Sequence, residues 1–298
     1  MWKLVVKILV GLVFIASAIL KLITIDDFEI YIFTINLFSL DLSILLARLI
    51  IGFEFFLGML LCLNLFKLIT DLTIATTLVF TIYLLIRAIA GDTENCQCFG
   101  SNIFLSPTQS IVKNVVLIAG LVWARNSKYF QFKYKKLLSI GILVTSIVVV
   151  NILSPPDFLY YNDYSRYTDN YNVEYFEKFK VNPVLKEREN KKTVICFFST
   201  GCRLCNLTAK KISGIINSHN IDKSSVLYVF IKTDDNDISE FLIKNKSIGI
   251  EHIQLPRDEV LLITYGSVPI IILYDNEVID SFIYRGIVEK NIVSFFKN

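Results

Sequence analysis

The chain has 298 residues, 54% of them hydrophobic and 19% charged, and its net charge is only +3. A mean hydropathy of +0.55 is high for a soluble protein, and the weak charge, without a basic stripe interleaved with aromatics, excludes a nucleic-acid-binding class. The length allows two domains. Apolar residues concentrate in residues 1–154, whereas 155–298 have the composition of an ordinary soluble chain.

Five segments are apolar enough to cross a bilayer, which takes about 20 mostly apolar residues. They are Leu4–Ile23, Leu42–Phe66, Leu68–Ala90, Pro107–Trp123 and Leu137–Leu153. The first is the weakest, because Lys7 and Lys21 interrupt it, and a cleaved signal peptide is the alternative for this segment. Since further apolar segments follow, residues 1–154 are predicted to form a multi-pass α-helical membrane bundle.

Loop charges predict the orientation of this bundle. The connection between the fourth and fifth spans holds only basic charges: Arg125, Lys128, Lys133, Lys135 and Lys136. Basic loops stay in the cytoplasm, whereas the loops after the first and third spans are acidic and are expected outside. We therefore expect a protein of the bacterial inner membrane, with a cytoplasmic N-terminus and residues after 154 outside the cytosol, where disulfides persist.

Charged side chains inside the spans are costly and usually mark a site or a buried partner. Glu54 lies halfway along the second span, Arg48 lies six residues earlier, and Lys21 ends the first span. We expect them to line a polar pocket under Cys96 and Cys98 and to be the candidate residues for binding a cofactor, the electron carrier, and a structural hydrogen bond between helices is the alternative for Glu54. Other polar residues near this face are Arg87, Lys113 and Asn114.

Cys96 and Cys98 are separated by one residue, in the loop that follows the third span. A disulfide between them closes a small, strained ring, and strain makes such a bond more oxidising. The pair is therefore a candidate electron acceptor. Two separate structural cysteines are the alternative, and no metal is expected because His219 and His252 lie in the other half.

The membrane half carries these elements in order: Lys21, Ala47-Arg48, Glu54, Leu57-Gly58, Cys96-Gln97-Cys98-Phe99-Gly100 and Asn114. This pattern resembles the DoxX-like MauE family of methylamine-utilisation membrane proteins over about residues 1–125. Gln97 stands where that family usually has glycine, which leaves the loop less free to bend. The resemblance implies a four-helix core plus one further span, and a role in forming disulfides in exported proteins beside a thioredoxin-like partner.

Residues 155–187 begin with Pro155-Pro156, and six tyrosines fall between Tyr160 and Tyr175. An N-terminal extension of the following domain is the first interpretation. A tether whose tyrosines rest at the membrane interface is the alternative, because amphipathic aromatics are enriched there.

From residue 188 onward the pattern becomes βαβ-like. A buried strand over 193–199 leads into Cys202-x-x-Cys205 and a helix to about His219. Further strands are predicted over 226–232, 270–274 and 278–284, with helices over 238–245 and 288–296. The C-x-x-C motif and the later Val268-Pro269 resemble the membrane-tethered, exoplasmic branch of the thioredoxin family. That resemblance implies that Pro269 is a cis-proline which lies against the cysteines and helps to bind substrate backbone.

Cys202 falls at a helix N-terminus, which favours its thiolate, and Arg203 adds positive charge nearby. Cys202 is therefore predicted to attack and Cys205 to resolve the mixed disulfide. A static disulfide or half of a zinc site are the alternatives. Cys196 occupies the position where thioredoxins often place a buried acid, and we expect it to act as packing, leaving proton handling to water or Lys232.

The hypothesis from the sequence is a redox relay in one chain, similar to the fusions of vitamin K epoxide reductase-like oxidases. Cys202 and Cys205 exchange disulfides with exported cysteine-containing clients and with Cys96 and Cys98, and a membrane quinone is the expected carrier beyond them. Disulfide formation is the favoured direction. A reductase or isomerase for exported proteins or cytochromes, and a non-enzymatic assembly or anchoring factor, are the alternatives.

Overall fold

The computed structural model describes residues 2–131, 133–160 and 170–297. The chain divides into two compact units. The first comprises residues 1–31 and 44–155, and the second comprises residues 32–43 and 156–298.

The N-terminal half is helical: α1 is Trp2–Ile23, α2 Ile25–Phe33, α3 Leu40–Leu63, α4 Lys67–Ile89, α5 Pro107–Ala124 and α6 Lys135–Leu153. Within the described residues, the five helices other than α2 are long and apolar enough to cross a membrane. The prediction of five spans is therefore confirmed. Their outward faces carry many exposed leucines, isoleucines and valines, which suits a hydrocarbon environment.

Apart from shifts of one or two residues at helix ends, the membrane half differs from the sequence prediction in two places. The second span was expected to reach Phe66, but α3 ends at Leu63 because Asn64 adopts φ 49°, a left-handed conformation that terminates helices. The acidic segment expected as a loop instead forms α2, whose first turn contains Asp26 and Asp27. Carboxylates there oppose the positive end of the helix dipole and stabilise it.

α1 and α3 approach each other closely through two glycines. A Cβ atom added to Gly11 would lie 2.7 Å from the carbonyl oxygen of Gly58, and one added to Gly58 would lie 2.7 Å from that of Gly11. Small residues allow this backbone contact between membrane helices. The contact brings the polar residues of the two helices together.

The C-terminal half contains α7 (Val173–Phe179), α8 (Pro183–Lys186), β1 (Thr193–Phe198), α9 (Arg203–His219), β2 (Val226–Ile231), α10 (Asp235–Lys244), β3 (Glu251–Leu255), α11 (Arg257–Ile263), β4 (Ile270–Asp275), β5 (Glu277–Ile283) and α12 (Glu289–Lys297). The strand order is β3-β2-β1-β4-β5. β1 runs parallel to β2 and antiparallel to β4. This mixed sheet, whose central strand β1 leads into the C-x-x-C motif at the start of α9, confirms the predicted α/β thioredoxin-like domain.

The sequence prediction omitted β3 and α11. β3 is an edge strand that pairs only with β2, in parallel, and two of its residues are exposed. Its sequence Glu-His-Ile-Gln-Leu lacks the apolar run of a buried strand. Long-range pairing, which a local pattern does not contain, creates this element.

The interpretation of residues 155–187 falls in part on 161–169, which lie outside the described residues. In the described part, Tyr171 contacts Phe176 edge to face at 5.3 Å. Phe176 and Phe179 of α7 are buried in the same core as β1. Residues 173–186 thus form two short helices packed on the sheet.

Candidate functional site

Cys202 caps the N-terminus of α9, immediately after the turn that leaves β1. Its N–H donates to the Ser199 carbonyl at 3.1 Å, which closes this turn. Its sulfur in turn accepts the N–H of Cys205 at 3.2 Å. Helix N-termini leave such N–H groups without an intrahelical acceptor. Cys202 is half-buried, so its sulfur is both hydrogen-bonded and accessible.

The two thiols of this pair have opposite electrostatic environments. The hydrogen bond from the Cys205 thiol, assisted by the backbone N–H groups of Cys205 and Leu204, lowers the pKa of Cys202 to about 6 against the opposing effect of burial. Burial raises the pKa of Cys205, which is fully enclosed. Cys202 is therefore a thiolate at neutral pH while Cys205 stays protonated, which separates a nucleophile from a resolving thiol.

Pro269 and Cys202 are brought together across the domain. The Val268–Pro269 peptide bond is cis, and the Cys202 sulfur lies 3.7 Å from the Val268 carbonyl oxygen. Pro269 directly precedes β4, which pairs with β1. Cys202, Cys205 and Pro269 thus form one site.

Asn206 holds the loop before Cys202 and was not identified from the sequence. Its Nδ2 donates to the carbonyls of Cys202 at 2.9 Å and Thr200 at 3.3 Å. Its Oδ1 accepts from Asn245 Nδ2 at 2.9 Å, and Asn245 is fully buried. The sequence contains a signal for this role, because Asn206 directly follows Cys205, the last residue of the C-x-x-C motif.

Cys196 is fully buried in β1, at the position where thioredoxins often have an acid. Burial in apolar surroundings raises the pKa of its thiol. A protonated thiol enclosed in the sheet neither attacks nor accepts a proton at neutral pH. Its environment is that of a small apolar core residue.

The second cysteine pair is joined by a Cys96–Cys98 disulfide with the two Cα atoms 5.4 Å apart. The two residues belong to the loop between α4 and α5 and are 1% and 2% exposed. Gln97 between them has φ 56°, the left-handed region that glycine adopts most readily. This conformation explains why glycine is usual at that position in the family the membrane half resembles.

Lys21 and Glu54 meet inside the membrane unit. Lys21 Nζ lies 2.5 Å from Glu54 Oε1, and Ser17 Oγ lies 3.0 Å from Glu54 Oε2. The Ser17 hydroxyl also lies 2.7 Å from the Cys98 carbonyl oxygen. A hydroxyl has one proton, and both of these partners are acceptors, so Ser17 donates either to the Glu54 carboxylate or to the Cys98 carbonyl at any one time.

Arg48 lies elsewhere, which corrects its expected place in this pocket. It pairs with Glu29 at 2.5 Å and donates to the carbonyls of Ser154 at 2.9 Å and Pro155 at 3.0 Å. Six residues of helix separate Arg48 from Glu54 by about 9 Å along the axis. Arg48 therefore neutralises a buried carboxylate and caps the end of α6.

The other polar residues expected near Cys96 and Cys98 divide into two groups. Lys113 Nζ lies 4.7 Å from the ring centre of Phe99, within the cysteine loop. Asn114 instead donates to Thr81 Oγ1 at 3.1 Å, and Arg87 pairs with Asp92. Of these three residues, Lys113 is the one that contacts the aromatic ring of Phe99 in the cysteine loop.

Ser110 was not identified from the sequence, yet it contacts both sulfurs of the disulfide. Its Oγ lies 2.9 Å from Cys96 Sγ and 3.3 Å from Cys98 Sγ. Ser110 is fully buried in the first turns of α5. A serine in an apolar helix carries no local signal for such a role, because the contact spans 12 and 14 residues.

Comparison with known proteins gives one family match and one curated relative. Residues 2–127 match the family model of methylamine utilisation protein MauE. Protein TlpB of Flavobacterium psychrophilum is 26% identical in an alignment with a length of 312, which spans 83% of this chain and 80% of that protein. Because this alignment is longer than either half of the chain, it includes parts of both.

Two solved structures are similar to 38% of the chain and are each covered to 84%. One is the thioredoxin domain of a thiol-disulfide oxidoreductase from Bacteroides vulgatus, with 21% identity and a TM-score of 0.31. The other is a secreted disulfide oxidoreductase of Mycobacterium tuberculosis, with 13% identity and a TM-score of 0.30.

Proposed function

Because the chain joins an N-terminal MauE-type membrane domain to a thioredoxin-like domain, we propose that it is a membrane-anchored thiol–disulfide oxidoreductase that relays electrons from exported proteins. The observation that carries this proposal is the state of Cys202, a hydrogen-bonded, half-exposed sulfur with a pKa of about 6 beside cis-Pro269. A structural cysteine needs none of these features.

The first step is exchange between the Cys202–Cys205 disulfide and a client dithiol. A client thiolate attacks the Cys202 sulfur, and Cys205 leaves and takes a proton. The second client thiolate then displaces Cys202 as a thiolate, so the client gains a disulfide and the enzyme pair gains two electrons and the one proton that Cys205 carries. The exposure of Cys202 and the burial of Cys205 support this assignment of roles.

The second step passes these electrons to the membrane domain. The Cys202 thiolate attacks the Cys96–Cys98 disulfide, and Cys205 resolves the mixed disulfide, which leaves Cys96 and Cys98 reduced. Because both sulfurs of that pair are buried, exchange requires the loop between α4 and α5 to open. The loop charges described above support a common exoplasmic face for the two pairs and a location in the bacterial inner membrane.

Reoxidation of Cys96 and Cys98 requires a two-electron acceptor, and we propose a membrane quinone, which supplies that chemistry within the bilayer. An apolar cavity of about 590 Å³ lies between α1, α3 and α6, within the size range of small-molecule sites. Its lining includes Ala18 and Phe55, the chain neighbours of Ser17 and Glu54. This mainly apolar lining fits the hydrocarbon tail and the ring of a quinone.

Trapping the intermediate tests the relay. The full-length Cys205→Ser variant lacks the resolving thiol, so we expect Cys202 to accumulate in mixed disulfides, identified by non-reducing electrophoresis and peptide mass spectrometry. An internal adduct with Cys96 or Cys98 supports the relay, whereas adducts with external proteins alone contradict it. Cys196→Ser is the matched control, because that thiol is fully buried and no adduct is expected to change.

The direction is tested by alkylating cells rapidly and counting free thiols at Cys202 and Cys205. A mostly oxidised pair supports disulfide formation, whereas a mostly reduced pair indicates a reductase or isomerase. Replacing all four paired cysteines by serine tests the enzymatic reading itself. An intact phenotype in that variant would indicate an assembly or anchoring factor.

A further inference from the structure

We infer that Ser110 is a catalytic residue of the Cys96–Cys98 centre, where its hydroxyl stabilises Cys96 as the leaving thiolate and so directs the incoming thiolate to Cys98. This inference deepens the proposed function, on which it rests. It assigns unequal roles to two cysteines that the sequence does not distinguish.

The hydrogen-bond donors around the disulfide are distributed unequally. Cys96 Sγ lies 2.9 Å from the Ser110 hydroxyl and accepts the N–H of Cys98 at 3.2 Å. Cys98 Sγ lies farther from the same hydroxyl, at 3.3 Å. A hydroxyl has a single proton to donate, and the shorter distance favours Cys96. Two donors therefore converge on Cys96.

These donors are fixed before any reaction takes place. Ser106 and Gln109 form a capping box that sets the start of α5, and Ser110 N–H donates to the Ser106 carbonyl at 3.1 Å. On the loop side, Cys96 N–H donates to the Leu105 carbonyl at 2.9 Å. Preorganised donors aimed at the atom where charge develops are the most effective form of electrostatic stabilisation.

Attack at Cys98 exchanges one disulfide bond for another. The incoming thiolate forms a bond to Cys98 Sγ with its electron pair, and the Cys96–Cys98 bond breaks with its pair on Cys96 Sγ. The negative charge moves from the incoming sulfur to Cys96, where Ser110 and the Cys98 N–H receive it as hydrogen-bond donors. Attack at Cys96 would instead place the charge on Cys98, which has the longer contact to Ser110.

Glutathione provides a probe that does not depend on the thioredoxin-like domain. The full-length chain with Cys202→Ser and Cys205→Ser is incubated with reduced glutathione, quenched with acid, and mapped for the modified cysteine. Because the two mixed disulfides interconvert within the pair, their ratio reports which sulfur is better stabilised as free thiolate. We expect the Cys98 adduct to exceed the Cys96 adduct about tenfold, the factor expected of one hydrogen bond to a charged group.

Three variants of the chain that carries Cys202→Ser and Cys205→Ser test whether the Ser110 hydroxyl causes the unequal adduct ratio. Ser110→Ala is expected to lower the ratio by about tenfold, since a hydrogen bond to a charged sulfur is lost, whereas Ser110→Thr keeps a hydroxyl and is expected to retain the ratio. Thr108→Ala is the matched control, because it removes an exposed hydroxyl from the same turn of α5. Thermal unfolding of each variant checks that the fold is retained.

A ratio near one in the unmodified pair, or a ratio that Ser110→Ala leaves unchanged, would overturn the inference. An adduct at neither cysteine overturns it as well, because there is then no exchange for Ser110 to assist. Failure of the relay is distinguishable from these outcomes. It appears as the absence of an internal Cys202 adduct in the Cys205→Ser trap, while the glutathione ratio and its dependence on Ser110 persist.

Discussion

Lys21 and Glu54 form an ion pair between α1 and α3, with Lys21 Nζ 2.5 Å from Glu54 Oε1 and the lysine side chain only 4% exposed. The Ser17 hydroxyl lies within hydrogen-bond distance of both Glu54 Oε2 and the Cys98 carbonyl oxygen, and it can donate to one of these acceptors at a time. The close backbone contact at Gly11 and Gly58 makes this arrangement possible. The redox loop thus lies beside a buried charge pair of the membrane domain and competes with it for the Ser17 proton.

Glu54→Gln is expected to destabilise the chain by about 3 kcal/mol, because it leaves Lys21 buried without a counter-charge. Thermal unfolding in detergent measures this loss, and client oxidation is assayed on the folded fraction. The double variant Lys21→Met/Glu54→Gln is expected to recover most of the stability. Unchanged stability and activity in Glu54→Gln would remove Glu54 from any mechanism.

Arg48→Gln is expected to cost about 3–5 kcal/mol, because the buried carboxylate of Glu29 loses the guanidinium that neutralises it and α6 loses its cap. The stability of Arg48→Lys is expected to lie between that of the unmodified chain and that of Arg48→Gln, since a lysine keeps the charge but not the guanidinium geometry. The alkylation rate of Cys202 in the folded fraction should not change. A variant of normal stability that has lost quinone-dependent turnover would restore Arg48 to the carrier site.

Alkylation of Cys202 is expected to be half-maximal near pH 6, where its thiolate is half-formed, compared with about 8.5 for an unperturbed cysteine. The rate falls as the pH drops through this value, because protonation removes the nucleophile. Cys205→Ala removes the thiol that donates to Cys202, so the midpoint should move upward. A midpoint of about 8.5 in the unmodified chain would contradict the thiolate assignment.

Gly100→Ala is expected to displace the cysteine loop. Gly100 has φ 67°, a conformation that costs an L-residue about 1–2 kcal/mol, and an added Cβ would lie 2.8 Å from the Leu20 carbonyl oxygen of α1. We expect faster alkylation of the reduced Cys96 and Cys98 and less internal adduct in the Cys205→Ser trap. Gly141→Ala is the control, because no heavy atom lies within 4 Å of its added Cβ.

The sequence determined those features whose causes are local in the chain. Spans follow from the length of apolar runs, and the helix after Cys202 follows from a motif whose second cysteine is one turn away. The tandem of C-x-x-C and Val268-Pro269 was sufficient to predict the thioredoxin-like domain and the residues of its site. The position of Cys196, buried in β1, was equally visible because it lies in an uninterrupted apolar strand.

Only the tertiary structure decided the environment of the second cysteine pair. Ser110 and Ser17 contact this pair from two different helices. Arg48 pairs with Glu29, although its place on the same helix as Glu54 predicted that it would line the pocket under the cysteines. β3 likewise exists through pairing with β2 rather than through its own pattern. The physical reason is that these contacts join parts of the chain that are distant in sequence. A buried polar group requires a hydrogen-bonding partner, and the packing of helices and the pairing of strands, rather than sequence spacing, determine which groups meet.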